Sequence, residues 1–203
     1  MKTLIIKYLP TGENSKTKKL LDLFLQEAAG QKIETVDLLK EKIPLFDENS
    51  IQAYYKRNYG GQKLNESEAK LLEQNDKLVA QLKSADVIVM AYPMHNFGMP
   101  AAVKAYLDAV VMKGETFDYG QKMMAGKKVL TLFTSGGIYS ENTFNFDYPN
   151  WNSIALMTKA NFSFMGFDES EIIGTSLRDE ATEAERLNEA KSKISTIVKK
   201  WYN

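Results

Sequence analysis

Short apolar runs and longer stretches with helical spacing take turns along this chain. Residues 3–8 (Thr-Leu-Ile-Ile-Lys-Tyr) form a β-branched run that predicts a buried strand. A loop rich in Pro, Gly and Asn follows, residues 9–14. Ser15 then opens a predicted helix whose stripe is Leu20, Leu21, Phe24 and Leu25, and Gly30 ends it. Residues 33–38 alternate as a second strand. Residues 44–65 have no clean periodicity, although Phe46, Tyr54, Tyr55 and Tyr59 stand among polar residues before Gly60-Gly61. A helix over about 66–84 carries Leu71, Leu72, Leu78, Val79 and Leu82. Residues 85–91 are apolar almost throughout, as expected of a strand covered on both faces.

The same alternation continues to the end. Pro100 sits where a helix could begin, and that helix runs through Leu107 and Val111. Residues 128–134 read as a strand, Ser135-Gly136-Gly137 as a turn, and 138–152 as a long aromatic loop. A helix near 154–165, a strand at 170–174 and an amphipathic helix at 184–201 complete the pattern. Strands separated by helices imply an α/β fold: a five-stranded parallel sheet with helices on both faces and right-handed crossovers. With no repeat or linker, the 203 residues are expected to form one domain, 1–203. In such sheets ligands bind beyond the carboxyl ends of the strands, where strand order reverses. The loops after the first, third and fourth strands are therefore the expected site.

Composition narrows the chemistry. Formal net charge is +0, which gives no sign of a nucleic-acid or polybasic membrane surface. There is no cysteine, so disulfides, thiolate metal sites and cysteine nucleophiles are excluded. The single histidine, His95, rules out a multi-histidine metal centre. The first apolar run is too short for a signal or a membrane span, and a cytoplasmic location is the expectation.

Each expected site loop carries a plausible ligand reading beside a plain structural one. Ser15, Lys16 and Thr17 stand at a helix start, where free amides and the helix dipole favour a phosphate; a simple Ser N-cap would look the same. Neither a G-x-G-x-x-G nor a G-K-[ST] pattern is present, which argues against a Rossmann dinucleotide site and a P-loop. Pro93, Met94, His95, Asn96 and Phe97 offer a stiff turn whose backbone and amide could bind the polar edge of a flavin ring, or an ordinary strand-to-helix connection. Thr134, Ser135, Gly136 and Gly137 let backbone approach a ligand closely, or make a tight turn. The three loops together are more specific than any one.

Residues 91–97 (Ala-Tyr-Pro-Met-His-Asn-Phe), the 100–108 helix, Thr116 to Tyr119, Gly126-Lys127-Lys128 and Thr134 to Ile138 together resemble the FMN-dependent NADH-azoreductase family. These are flavodoxin-like quinone and azo-dye reductases, once described as acyl-carrier-protein phosphodiesterases. The resemblance spans nearly the whole chain. It implies a flavodoxin-like fold and an FMN bound at Ser15, Lys16 and Thr17, with Ser15 and Thr17 on its phosphate. It further implies that 94–97 bind the ring and ribityl chain and that 134–137 bind the pyrimidine edge. A homodimer with the site at its interface is also implied. Four positions depart from the family pattern: Leu9 replaces a serine, His95 a tyrosine, Ser135 an arginine and Tyr139 a histidine.

The implied reaction is two-electron reduction of a quinone or azo compound by NADH or NADPH, with the two substrates taking turns in one pocket. FMN does the chemistry. Asn96 could position the ring, the Gly136 and Gly137 amides with the Tyr139 hydroxyl could steady negative charge near N1, and Tyr54, Tyr55, Tyr119, Phe144 and Phe146 could wall the pocket. A flavodoxin-type electron carrier is the alternative, against which stands the neutral charge. A hydrolase is disfavoured by the lack of a nucleophile elbow.

Overall fold

In a computed structural model, which describes residues 1–137 and 153–202, five parallel strands form one sheet. They are β1 (Lys2–Lys7), β2 (Lys32–Asp37), β3 (Val87–Pro93), β4 (Lys128–Thr134) and β5 (Glu169–Thr175), in the order β2-β1-β3-β4-β5. The helices among the described residues are α1 (Lys16–Glu27), α2 (Glu48–Tyr54), α3 (Glu66–Ser84), α4 (Ala101–Val110), α5 (Ser153–Met165) and α6 (Glu180–Tyr202). The α/β class and the strand count expected from the sequence hold.

The pleat sorts each strand's side chains between two cores. Leu4, Ile6, Ile88, Met90 and Tyr92 face α3, α4 and α5. Ile5, Val87, Val89 and Ala91 face α1 and α6, where Leu20, Phe24, Ile194 and Trp201 meet them. Burial on both faces is why β3 reads as an unbroken apolar run. By contrast β2, an edge strand, alternates and buries only Val36.

Caps place the helix starts. Asp47 and Ser50 form a reciprocal capping box on α2, and Asn65 and Glu68 form one on α3. The aperiodic stretch after residue 44 is thus partly helical. α2 has seven residues and passes directly into a π turn, Tyr55–Tyr59, so no stripe of regular spacing can develop. No helix is long and apolar enough to cross a membrane among the described residues.

Candidate active site

Strand order reverses between β1 and β3, and the loops leaving their carboxyl ends define the crevice. After β1, Tyr8 continues the sheet by donating its N–H to the Ala91 carbonyl (2.9 Å). A 3-10 turn, Gly12–Asn14, then delivers the chain to Ser15, the N-cap of α1. Ser15 is buried, yet its hydroxyl caps no backbone amide. The first turn of α1 holds Lys16, Lys18 and Lys19 and no acidic residue, whereas α2, α3 and α6 all begin with glutamate. Cations at a helix N-terminus oppose its dipole. The arrangement is suited to an anion docking on the free amides.

Lys16 and Lys19 share one partner, Glu183 of α6. Lys16 Nζ lies 2.6 Å from a Glu183 oxygen, and Lys19 pairs with the other. These two ammonium groups hold the Glu183 carboxyl below the usual carboxylate range. Lys18 pairs instead with Asp22 at 2.7 Å and with Glu13 at 3.5 Å. Thr17 is turned inward: its hydroxyl meets the Thr134 hydroxyl at 2.7 Å, and both residues are buried.

The loop after β3 is backbone-strained. Asn96 (φ 46°) and Phe97 (φ 66°) both occupy the left-handed region. His95 and Gly98 bracket them with paired backbone bonds of 3.0 and 2.9 Å, a tight reversal of the type I′ kind. Successive non-glycine residues with positive φ are costly and concentrate where a ligand is clamped. The His95 ring packs edge-on to Tyr8 at 5.8 Å. Among the described residues the Asn96 carboxamide has no hydrogen-bond partner, and Phe97 is half exposed.

The loop after β4 is tied to both neighbours. Met94 donates its N–H to the Thr134 carbonyl (2.7 Å), and Ser135 donates to the Thr175 carbonyl (3.1 Å). The Ser135 hydroxyl donates to the Gly137 carbonyl (2.6 Å). A Cβ at Gly136 would meet nothing within 4 Å, so its backbone faces open space.

A cavity of about 380 Å³ joins these parts. Lys16, Pro93, Met94, Thr134, Ser135 and Gly136 line it, all of them named from the sequence. Ser15, Thr17, His95, Asn96, Phe97 and Gly137 stand on the same loops without lining that cavity. Leu177 and Arg178, from the loop after β5, complete the wall and were not singled out. Only the sheet order, which sets β5 beside β4, could have pointed to them. Tyr139, Phe144, Phe146 and the 141–150 segment lie outside the described residues. Tyr54 is buried against Phe46, and its hydroxyl accepts from the Lys113 N–H (2.9 Å). Tyr55, Tyr59, Tyr119 and Phe164 are exposed. The described residues hold no group of three His, Asp or Glu that could bind a metal ion.

A free amide-rich helix start, a buried hydroxyl with no capping role, a strained turn presenting an unpaired amide, and a bare glycine backbone suit a phosphate joined to a flat polar ring. FMN has that shape.

The chain matches the family described as flavodoxin-like fold over residues 1–198. It is 30% identical to an FMN-dependent NADH:quinone oxidoreductase of Shewanella loihica, over 97% of this chain and 98% of that protein. A protein of the same description from Haemophilus influenzae is 29% identical over 96% of each. Among solved structures, an FMN-dependent NADH-azoreductase from Bacillus anthracis in complex with FMN superposes with a TM-score of 0.83, at 27% identity and 100% coverage of both chains.

Proposed function

The chain belongs to this flavodoxin-like family, whose relatives include FMN-dependent NADH:quinone oxidoreductases, and from that premise we propose that it is an FMN-dependent NAD(P)H oxidoreductase acting on quinones or azo compounds. The observation that carries this reading is that Lys16 at the α1 start, Pro93 and Met94 at the end of β3, and Thr134, Ser135 and Gly136 after β4 line one cavity. FMN, when bound, supplies two-electron chemistry between a nicotinamide and an acceptor.

The protein's share is binding, orientation and charge. The α1 amides and the Ser15 hydroxyl hold the phosphate. The left-handed Asn96 offers its carboxamide to the polar edge of the ring. Gly136 and Gly137 would offer backbone N–H groups, which cost no reorganisation, to the pyrimidine edge of the ring. Nicotinamide and acceptor would use this one cavity in turn, which gives alternating, ping-pong kinetics.

The exposed rings of Tyr55 and Tyr59 pack at 5.0 Å, the exposed Tyr119 and Phe164 both pack on Phe117, and this clustering supports a homodimer with its site at the interface. A reaction that consumes NAD(P)H needs the nicotinamide pool of the cytoplasm, the location we assign.

The test is spectroscopic. Purified protein mixed anaerobically with FMN and then NADH or NADPH should lose its flavin absorbance, and a quinone should restore it in a second step. Bleaching by a one-electron donor but by neither nicotinamide would replace the reductase with an electron carrier. Stoichiometric FAD that FMN cannot displace would refute the cofactor.

A further inference from the structure

Leu9 occupies the position at which the resembled family carries a serine, and its side chain is buried in the core between the sheet and α1. Position 9 therefore offers no hydroxyl to a phosphate. The nearby lysines do not obviously replace it, because each already has a carboxylate: Lys16 and Lys19 share Glu183, and Lys18 has Asp22 and Glu13. Arg178 differs. It lines the same cavity as Lys16, Thr134 and Gly136, and among the described residues it has no ion-pair or hydrogen-bond partner. The neighbouring acid, Asp179, is engaged elsewhere. It accepts from the Ala181 N–H (3.1 Å) and the Thr182 hydroxyl (3.0 Å), as the cap of α6.

The loop that carries Arg178 is fixed. Ser176 and Leu177 are buried, Arg186 donates to the Ser176 carbonyl at 2.6 Å, and the Thr175 carbonyl receives the Ser135 N–H. Such a loop sets where the Arg178 backbone stands before any ligand arrives, and the planar fork of a guanidinium matches two phosphate oxygens.

We propose that Arg178 is the counter-charge for the FMN phosphate in this chain, supplying by ionic pairing what a serine hydroxyl at position 9 would supply by hydrogen bonding. The inference rests on the FMN reading above and adds to it a residue from a fourth loop. It has a consequence that a hydroxyl-lined site lacks. FMN affinity should fall strongly as ionic strength rises, while affinity for riboflavin, which has the same ring and no phosphate, should not.

The experiment titrates the flavin-free full chain with FMN and with riboflavin, following flavin fluorescence at low and high salt. Wild type should bind FMN more tightly than riboflavin and lose affinity as salt rises. Arg178→Gln should weaken FMN binding about tenfold, leave riboflavin binding unchanged and flatten the salt response. Arg178→Lys should keep most of both effects, since charge remains. Equal weakening of FMN and riboflavin in Arg178→Gln, or no weakening of FMN, overturns the role of Arg178 while leaving FMN as cofactor. Failure of wild type to bind FMN at all overturns the cofactor reading and this assignment with it. Arg178 is exposed, so the variant should keep the wild-type melting temperature, which checks that the fold is intact.

Discussion

Thr17 and Thr134 meet hydroxyl to hydroxyl at 2.7 Å, joining the first turn of α1 to the last residue of β4. Neither residue touches solvent appreciably, so this bond has no competing water. It ties the start of α1 to the carboxyl end of β4. Thr17→Val should destabilise the fold by roughly 1–3 kcal/mol, because it keeps the shape and strands the Thr134 hydroxyl. Thr134→Val should cost about the same. The double variant should cost clearly less than the sum, since no orphaned hydroxyl remains. Urea unfolding of the four proteins measures this cycle, and strict additivity would show that the two hydroxyls do not depend on each other.

Gly174 pairs with Phe133 in the β4–β5 register, and a Cβ at Gly174 would lie 2.2 Å from the Phe133 ring. The ring is fully buried and cannot swing away into solvent. Gly174→Ala should therefore lower stability by roughly 1–3 kcal/mol through overpacking. Adding Phe133→Leu should recover part of the loss. Thermal unfolding is the measurement, and a wild-type melting temperature for Gly174→Ala would disprove the clash.

These two pairs mark where sequence reading stops. The ranges 66–84 and 128–134 coincide with α3 and β4, because a five-residue apolar stripe and a short run of β-branched, aliphatic and aromatic residues are local signals. α2 escaped notice because two turns and a π bulge leave no period to detect. At the site, pattern located the loops but could not orient their side chains. Thr17 shares its first-turn setting with Ser15, yet only the packing of α1 against β4 turns its hydroxyl inward. Leu177 and Arg178 follow a short strand with no Gly-rich or aromatic loop, and they join the cavity through the order of strands in space.

Substitution can separate the turn geometry of Asn96 from its proposed contact with the flavin ring. Its φ of 46° costs little for glycine and more for alanine, while both replacements remove the carboxamide. Asn96→Ala should lower stability by about 1 kcal/mol; Asn96→Gly should leave it unchanged or slightly raised. Both should weaken FMN binding and slow reduction by the nicotinamide, by about tenfold if the amide makes one good hydrogen bond to the ring. Stopped-flow bleaching and thermal unfolding of the two variants give the answer. Normal flavin affinity in Asn96→Gly would mean that the residue is there for the turn alone.

If the proposed phosphate site is at α1, Glu183 should set how much positive charge that phosphate meets. It sits between Lys16 and Lys19, and their ammonium groups keep it ionised to lower pH than an ordinary glutamate. A carboxyl whose folded pKa is depressed adds stability above its unfolded value and loses that stability as pH falls through the folded one. Wild type should accordingly lose stability on acidification below the ordinary carboxylate range, and Glu183→Gln should show a smaller loss there while being less stable at neutral pH. Cofactor binding should move the other way. With Glu183 neutralised, both lysines are free to face a phosphate, so Glu183→Gln should bind FMN a few-fold more tightly at low salt, with riboflavin unaffected. Melting curves across the acid range and parallel flavin titrations test both halves. Looser FMN binding in Glu183→Gln would show that the ion pair holds α1 in its binding conformation rather than masking its charge.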